Sequence, residues 1–300
     1  MKKQKGFFQR YFKHYSLLLP FFLLFAVFFL YPLIYSIFIS LTKWDGIREP
    51  VFVGFDNYVR ITQTPRFDTS MKNLLRFVVI VVPVGVTIAL CLAVLVDQFT
   101  PRWQKFFRSM YFFPVIIPMF LSAAIFRFLL SPQIGLITVM LEGIGIKNVN
   151  WLSNPTYMVP AVALVDMWRA IGFNFLLLFS GLKAIPTEYS EAARVDGANR
   201  FQEFFYITIP QLEPVLFLVV VNAFIGALQS FDIPWLLSSS TFVNYGGPRN
   251  GMLFPVMEIY YSAWGRQDFG GASAYAVIIL VITMIITAVQ FTWRRFRLER

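Results

Sequence analysis

The 300 residues carry 26 Lys and Arg against 16 Asp and Glu, a net charge of +10, yet only 14% of the chain is charged and 57% is hydrophobic. A mean hydropathy of +0.63, with apolar runs of about 20 residues recurring along the chain, excludes an ordinary soluble globular domain and points to membrane-crossing helices. Cys91 and His14 are single examples of their kinds, which excludes a disulfide framework, a thiolate metal site and an intramembrane histidine relay. The positive surplus sits beside apolar runs, where it acts as a topology signal, so nucleic acid is not an expected partner.

Residues 1–15 hold Lys2, Lys3, Lys5, Arg10 and Lys13 and no acid, which assigns the N-terminus to the cytoplasm. A first span is expected from Ser16 to Ser40, broken towards its end by Pro32. It is too long for a cleavable signal peptide, and no small-residue cleavage site follows. An outer loop with Trp44-Asp45-Gly46 and Phe52 to Tyr58 precedes a short amphipathic helix through Tyr58–Ile61. The second span runs from Asn73 to Val96, and an inner loop with Arg102, Lys105 and Arg108 leads to a third, Phe106–Leu130. Pro114 and Pro118 should kink that third span. After an outer loop with Gly135, Asn148 and Trp151, the fourth span covers Tyr157–Leu182. A polar island, Pro186–Pro210, separates it from the fifth, Leu212–Leu237, and the sixth is Ala272–Trp293. Arg294, Arg295, Arg297 and Arg300 close the chain on the cytoplasmic side. The expectation is an all-α membrane protein of six transmembrane helices with both termini cytoplasmic: a basic tail (1–15), a membrane domain (16–293) with an inner loop (183–211), and a second basic tail (294–300).

The polar island opens with good helix formers after Pro186, and Gly197 and Asn199 stand where a helix would turn. It reads as two short helices at roughly a right angle on the membrane surface, suited to a soluble partner. No phosphate-binding GxxxxGK[ST], HExxH, GxSxG or catalytic carboxylate pair occurs, so the chain is not expected to be an enzyme by itself.

Within the island, Glu191-Ala192-Ala193 is followed after three residues by Gly197, and after nine more by Ile207-Thr208-Ile209-Pro210. This resembles the signature loop of permease subunits in binding-protein-dependent ABC importers, with Ile209 in place of the usual Leu. Gly54-x-x-Asn57-Tyr58, Gly246-Gly247-Pro248 and Gly270-Gly271 are similar to elements of the sugar-uptake branch, whose best-known example is the maltose transporter, and the resemblance extends from Leu19-Pro20 to the last span. It implies the type I importer permease fold in the cell membrane of a bacterium or archaeon. It also implies a second homologous permease subunit, a dimer of ATPase subunits that holds ATP and Mg, an extracytoplasmic sugar-binding protein, and lipid. No cofactor is expected in this chain. By the same resemblance Glu191, Ala192, Ala193, Asp196 and Gly197 couple to the ATPase, Glu191 through a charge-assisted contact.

Polar groups inside a membrane are costly and default to a functional reading. Asp166, Arg169, Asn174, Asn222, Gln229, Ser230 and Asp232 are the candidates. An ungapped register from the signature loop implies that Arg169 and Phe173, with Ala223, Gly226, Ala227 and Ser230, line the sugar path. A guanidinium there suits a carboxylate, hence an acidic, uronate-containing oligosaccharide. Asp166 and Arg169, three apart on one helical face, equally read as a self-neutralising pair. Trp168 and Trp235 read as sugar platforms or as interfacial anchors. The alternatives to an oligosaccharide permease are a glycerol-phosphate or phosphodiester ABC permease, a secondary transporter and, more distantly, a membrane-embedded enzyme.

Overall fold

A computed structural model describes residues 7–132, 134–146, 149–238 and 245–298. Lys2, Lys3 and Lys5 of the basic tail, Asn148 and Arg300 lie outside the described residues. The chain divides into two compact units, residues 1–63 with 259–278, and residues 64–258 with 279–300.

The first unit opens with α1 (Phe7–Phe25), a π-turn (Ala26–Leu30) and α2 (Tyr31–Ser40). Pro32 does not break this run as the sequence suggested. A proline ring clashes with the carbonyl four residues back, here Phe28, and that carbonyl lies in the widened π-turn, so Ser16–Ser40 remains one continuous apolar span. A short antiparallel hairpin follows, β1 (Thr42–Lys43) and β2 (Val51–Phe52), with Thr42 opposite Phe52. Next comes α3 (Asp56–Thr62), the amphipathic helix expected around Tyr58–Ile61. Asn57 is buried and donates from Nδ2 to the carbonyls of Ser40 (2.9 Å) and Thr42 (2.8 Å), while the Tyr58 and Ser40 hydroxyls share a hydrogen bond of 2.6 Å. The Asn-Tyr pair therefore satisfies polar groups at the helix end that would otherwise be orphaned. Gly270 lies so close to the Thr42 carbonyl that any Cβ would collide with it, which accounts for a glycine there.

The second unit begins with α4 (Pro65–Asp97), capped by the Thr64 side chain accepting from the Phe67 amide. It continues through α5 (Pro101–Ile116), α6 (Met119–Leu129), α7 (Leu136–Gly143) and α8 (Pro155–Lys183). Then come α9 (Thr187–Val195), α10 (Arg200–Glu203), a π-turn (Phe204–Thr208), α11 (Ile209–Leu228) and α12 (Asp232–Ser238). Two helices remain: α13 (Pro255–Tyr260) and α14 (Phe269–Leu298). The central pair is α4 against α8, with α5 and α11 packed on them. On α4 the buried residues Phe77, Val81, Gly85, Ala89 and Ala93 fall at intervals of four, and the small ones let the helices approach closely. Ala161, Val162, Val165, Phe175 and Leu178 answer from α8.

Among the described residues five helices are long and apolar enough to cross a membrane, and α5 with α6 forms a sixth segment bent by 96°. The bend falls at Ile117–Pro118 and not at Pro114, which stays inside α5. Steric pressure from the proline ring drives the preceding residue out of the helical region, and Ile117 sits at φ −70°, ψ 127°. The fifth span differs more from the sequence expectation. It starts at Arg200, so Phe201–Ile207 is not a separate surface helix but the first turns of a continuous Arg200–Leu228 helix. It also ends at Leu228, nine residues before the expected Leu237, in a tight turn where the Ser230 amide bonds the Ala227 carbonyl.

Candidate functional site

The inner loop is built from two caps set back to back. Pro186 precedes α9 in an extended conformation, and Glu188 places negative charge in its first turn, favourable at a helix N-terminus. At the other end Gly197 takes φ +80°, its amide bonds the Arg194 carbonyl (3.1 Å), and the Ala198 amide bonds the Ala193 carbonyl (2.9 Å). That pair of bonds is a Schellman motif, and its left-handed residue is glycine for want of a Cβ. Two residues on, Asn199 and Gln202 exchange side-chain-to-backbone bonds of 2.8 and 2.9 Å in a capping box that starts the next helix. Arg194 reaches Glu203 at 3.4 Å, which ties α9 to that helix.

The expected coupling residues are together on this element but do not share one exposure. Glu191, Ala192, Asp196 and Gly197 are exposed, whereas Ala193 is buried within the chain, so its small side chain serves the loop's own packing. The sequence did not single out Val195, Phe201 and Tyr206, which are 88%, 77% and 79% exposed around the same loop. Their signal was a run of apolar residues inside a polar island. Behind the loop, Asp97 of α4 pairs with Lys183 of α8 at 2.7 Å. Asp97 lines a 380 Å³ cavity that also takes in Arg194, Arg200 and Glu203.

A second cavity, of 360 Å³, lies among α4, α5, α6, α8 and α11. Arg169, Phe173, Asn174, Gly226 and Ala227 all line it, as do Asp166, Asn222 and Ala223. Ser230 does not: the early end of α11 puts it in the turn beyond the helix. Phe173 is exposed into this space, and Asn174 is buried at its wall. Met167, Val81 and Gly85 are lining residues that no polarity signal marked. Among the described residues no ion pair joins Asp166 to Arg169, and the Arg169 Nε–H is buried without a hydrogen-bond acceptor. Trp168 points elsewhere, packing on Phe126 with ring centroids 5.2 Å apart, and Trp235 stacks on Phe231 at 5.6 Å.

The family described as binding-protein-dependent transport system inner membrane component matches residues 82–293. The chain belongs to this family. It is a multi-pass inner-membrane permease of the ABC importer class. Among its relatives is the probable ABC transporter permease protein YurN of Bacillus subtilis, 34% identical over 89% of this chain and 91% of that one. The sulfoquinovosyl glycerol transport system permease protein SmoG of Agrobacterium fabrum is 31% identical over 91% of this permease and 87% of its own length. In fold the permease is similar to a chain in the crystal structure of a bacterial ABC transporter involved in import of the acidic polysaccharide alginate, with a TM-score of 0.81, 23% identity and 96% of each chain covered.

Proposed function

We propose that this permease carries oligosaccharides bearing a carboxylate, and that a separate ATPase dimer drives it through α9. Sugar as the substrate class is supported by the names of the sequence relatives, which include permeases for arabinooligosaccharides, trehalose and maltose, and lactose. The acidic refinement rests on one observation: Arg169 lines the membrane cavity with a buried, unused Nε–H and no ion pair to Asp166. A buried donor left unmade costs about 1–3 kcal/mol, more when charged, and a carboxylate entering the cavity removes that penalty through a charge-assisted bond. Phe173 offers an apolar face beside it for a sugar ring. The basic residues that flank the first and last spans support a cytoplasmic position for α9, on the side where an ATPase would find its nucleotide. There the exposed Glu191 and Ala192 form the contact.

The test is ATP hydrolysis by the reconstituted importer, stimulated by binding protein loaded with acidic or neutral oligosaccharides. Stimulation by acidic sugars that Arg169→Ala removes selectively is the expected result. Equal stimulation by neutral sugars, with Arg169→Ala only reducing the yield of folded protein, overturns the acidic reading. A glycerol-phosphate substrate would use the same guanidinium, so a glycerol phosphate arm separates phosphate from uronate.

A further inference from the structure

The first unit contains a cavity of its own. It is an open cleft of 580 Å³ bordered by the β1–β2 hairpin, α3 and the turn that leads into α14. Pockets for small ligands run to roughly 300–1,000 Å³, so the size suits one or two sugar residues. Three cations, Lys43, Arg60 and Arg266, and three acids, Asp45, Asp56 and Asp268, line it. A site for an anion or a cation would show a surplus of the opposite charge. This one is balanced, and a balanced set of strong donors and acceptors matches a ligand whose every polar group both donates and accepts, as a sugar hydroxyl does.

Most of these groups are already held in place. Arg60 Nη2 is fixed between Asp268 Oδ2 (2.6 Å) and Asn57 Oδ1 (3.1 Å). Asp45 accepts from the backbone amides of Arg48 (2.9 Å) and Ile47 (3.0 Å), and those two bonds hold its carboxyl below the usual carboxylate range, so it stays ionised. The Trp44 indole lies among them, its Nε1–H tied to the Arg48 carbonyl at 2.6 Å and its ring braced by Phe269 at 5.6 Å. Gln267, in the lining, is held at φ 53°, a left-handed conformation costly for a non-glycine residue and found where surrounding structure imposes it. Against this rigid frame Lys43 and Asp56 carry no side-chain hydrogen bond or ion pair among the described residues, leaving one donor and one acceptor open to the cavity.

We infer that this pocket is a saccharide subsite, separate from the membrane cavity, in which a sugar ring lies against Trp44 and its hydroxyls bridge Lys43 and Asp56. The inference rests on the sugar reading above but not on its acidic refinement. It requires that a glucoside and the matching glucuronide bind equally here, whereas the Arg169 cavity distinguishes them.

The full-length permease, purified in nanodiscs with the subunits that accompany it, would be examined by saturation-transfer NMR with maltose, lactose, methyl glucoside and methyl glucuronide. Expected is transfer to the sugar that Asp56→Asn and Lys43→Met each weaken about tenfold, the size of one lost charged hydrogen bond. Trp44→Ala should remove this site's share of the transfer and Trp44→Phe restore it, while the share that remains in Trp44→Ala should be the one lost when Phe173→Ala is added. Asp56 and Lys43 are exposed, so their variants test the site even where Trp44→Ala fails to fold. If Phe173→Ala removes the signal and the Asp56 and Lys43 variants do not, the subsite is refuted while sugar transport stands. If the importer moves sugar but no transfer is seen, the subsite is equally refuted. Protection of Asp56→Cys from maleimide by the extracytoplasmic binding protein, without saccharide binding, would make the pocket a protein-docking surface and overturn the inference. Failure of every saccharide to bind or be transported would bring down the sugar reading itself.

Discussion

Replacing Gly197 isolates a purely conformational cost at the element that is proposed to meet the ATPase. The residue sits at φ +80° with no atom within 4 Å of where a Cβ would be, so Ala or Ser meets no clash there. What remains is the left-handed penalty, roughly 1–2 kcal/mol for an L-residue, a factor of about 5–30 in the equilibrium between the capped and uncapped loop. Because the site is exposed, global stability should move by no more than that, and the loss should concentrate in coupling. The expected order in ATP hydrolysis stimulated by loaded binding protein is Gly above Asn, Asn above Ala and Ser together, and Val lowest, since β-branching is least compatible with positive φ. Thermal unfolding of each variant would be recorded alongside. Equal coupling in Gly197→Ala and wild type would refute the argument, as would a large gap between Ala and Ser, which would reveal contacts that the open geometry denies.

Other outcomes follow from the anchoring bonds. Asn57→Ala removes two buried bonds to the Ser40 and Thr42 carbonyls and should cost about 2–4 kcal/mol, read as a lower unfolding temperature of the purified permease. Glu258→Ala strips the buried partner of Arg66 (3.0 Å) and of the Tyr245 hydroxyl (2.9 Å) and should destabilise by roughly 3–5 kcal/mol; replacing Arg66 and Glu258 together by Met should recover most of that in the same melts. Arg294→Met breaks the two-pronged contact with Glu213 (3.0 and 3.2 Å), in which each side chain is only about a quarter exposed, and should cost roughly 1.5–3 kcal/mol in the same melts; a loss below about 0.5 kcal/mol would show the pair to be worth no more than a surface one. Glu191→Ala should leave the melt unchanged, since the side chain is exposed, while copurification with the ATPase falls.

The membrane fold was legible because lipid imposes long apolar runs, and the runs at 16–40, 73–96, 157–182 and 272–293 each lie within an observed helix. Ends were less legible. Polar residues continue α4 back to Pro65 and the fifth span back to Arg200, since a helix outlives its apolar stretch when a cap is present, as Thr64 and Asn199 provide. The break at Gln229 was hidden: Gln229, Ser230 and Asp232 read as polar positions along a span, whereas α11 ends at Leu228 and they lie in the turn and at the start of α12. In the cavity, Arg169 and Phe173 were visible from charge and register. Gly85, Val81 and Met167 were not, because an apolar side chain facing a cavity looks the same in sequence as one facing a core.

The helix from Arg200 to Leu228, widened into a π-turn at Phe204–Thr208 but not broken, has the form of a long rod. Its 29 residues extend about 43 Å at 1.5 Å each. The polar loop grips one end through the capping box and the Arg194–Glu203 contact, and Asn222, Ala223, Gly226 and Ala227 face the cavity near the other. A tilt of about 5° about the gripped end displaces those residues by about 3 Å, roughly the diameter of a water molecule, without melting a single turn. If α9 docks on an ATPase as proposed, rotation of this rod would by itself open and shut access to the cavity, and its stiffness would set how much of a stroke at the loop arrives there.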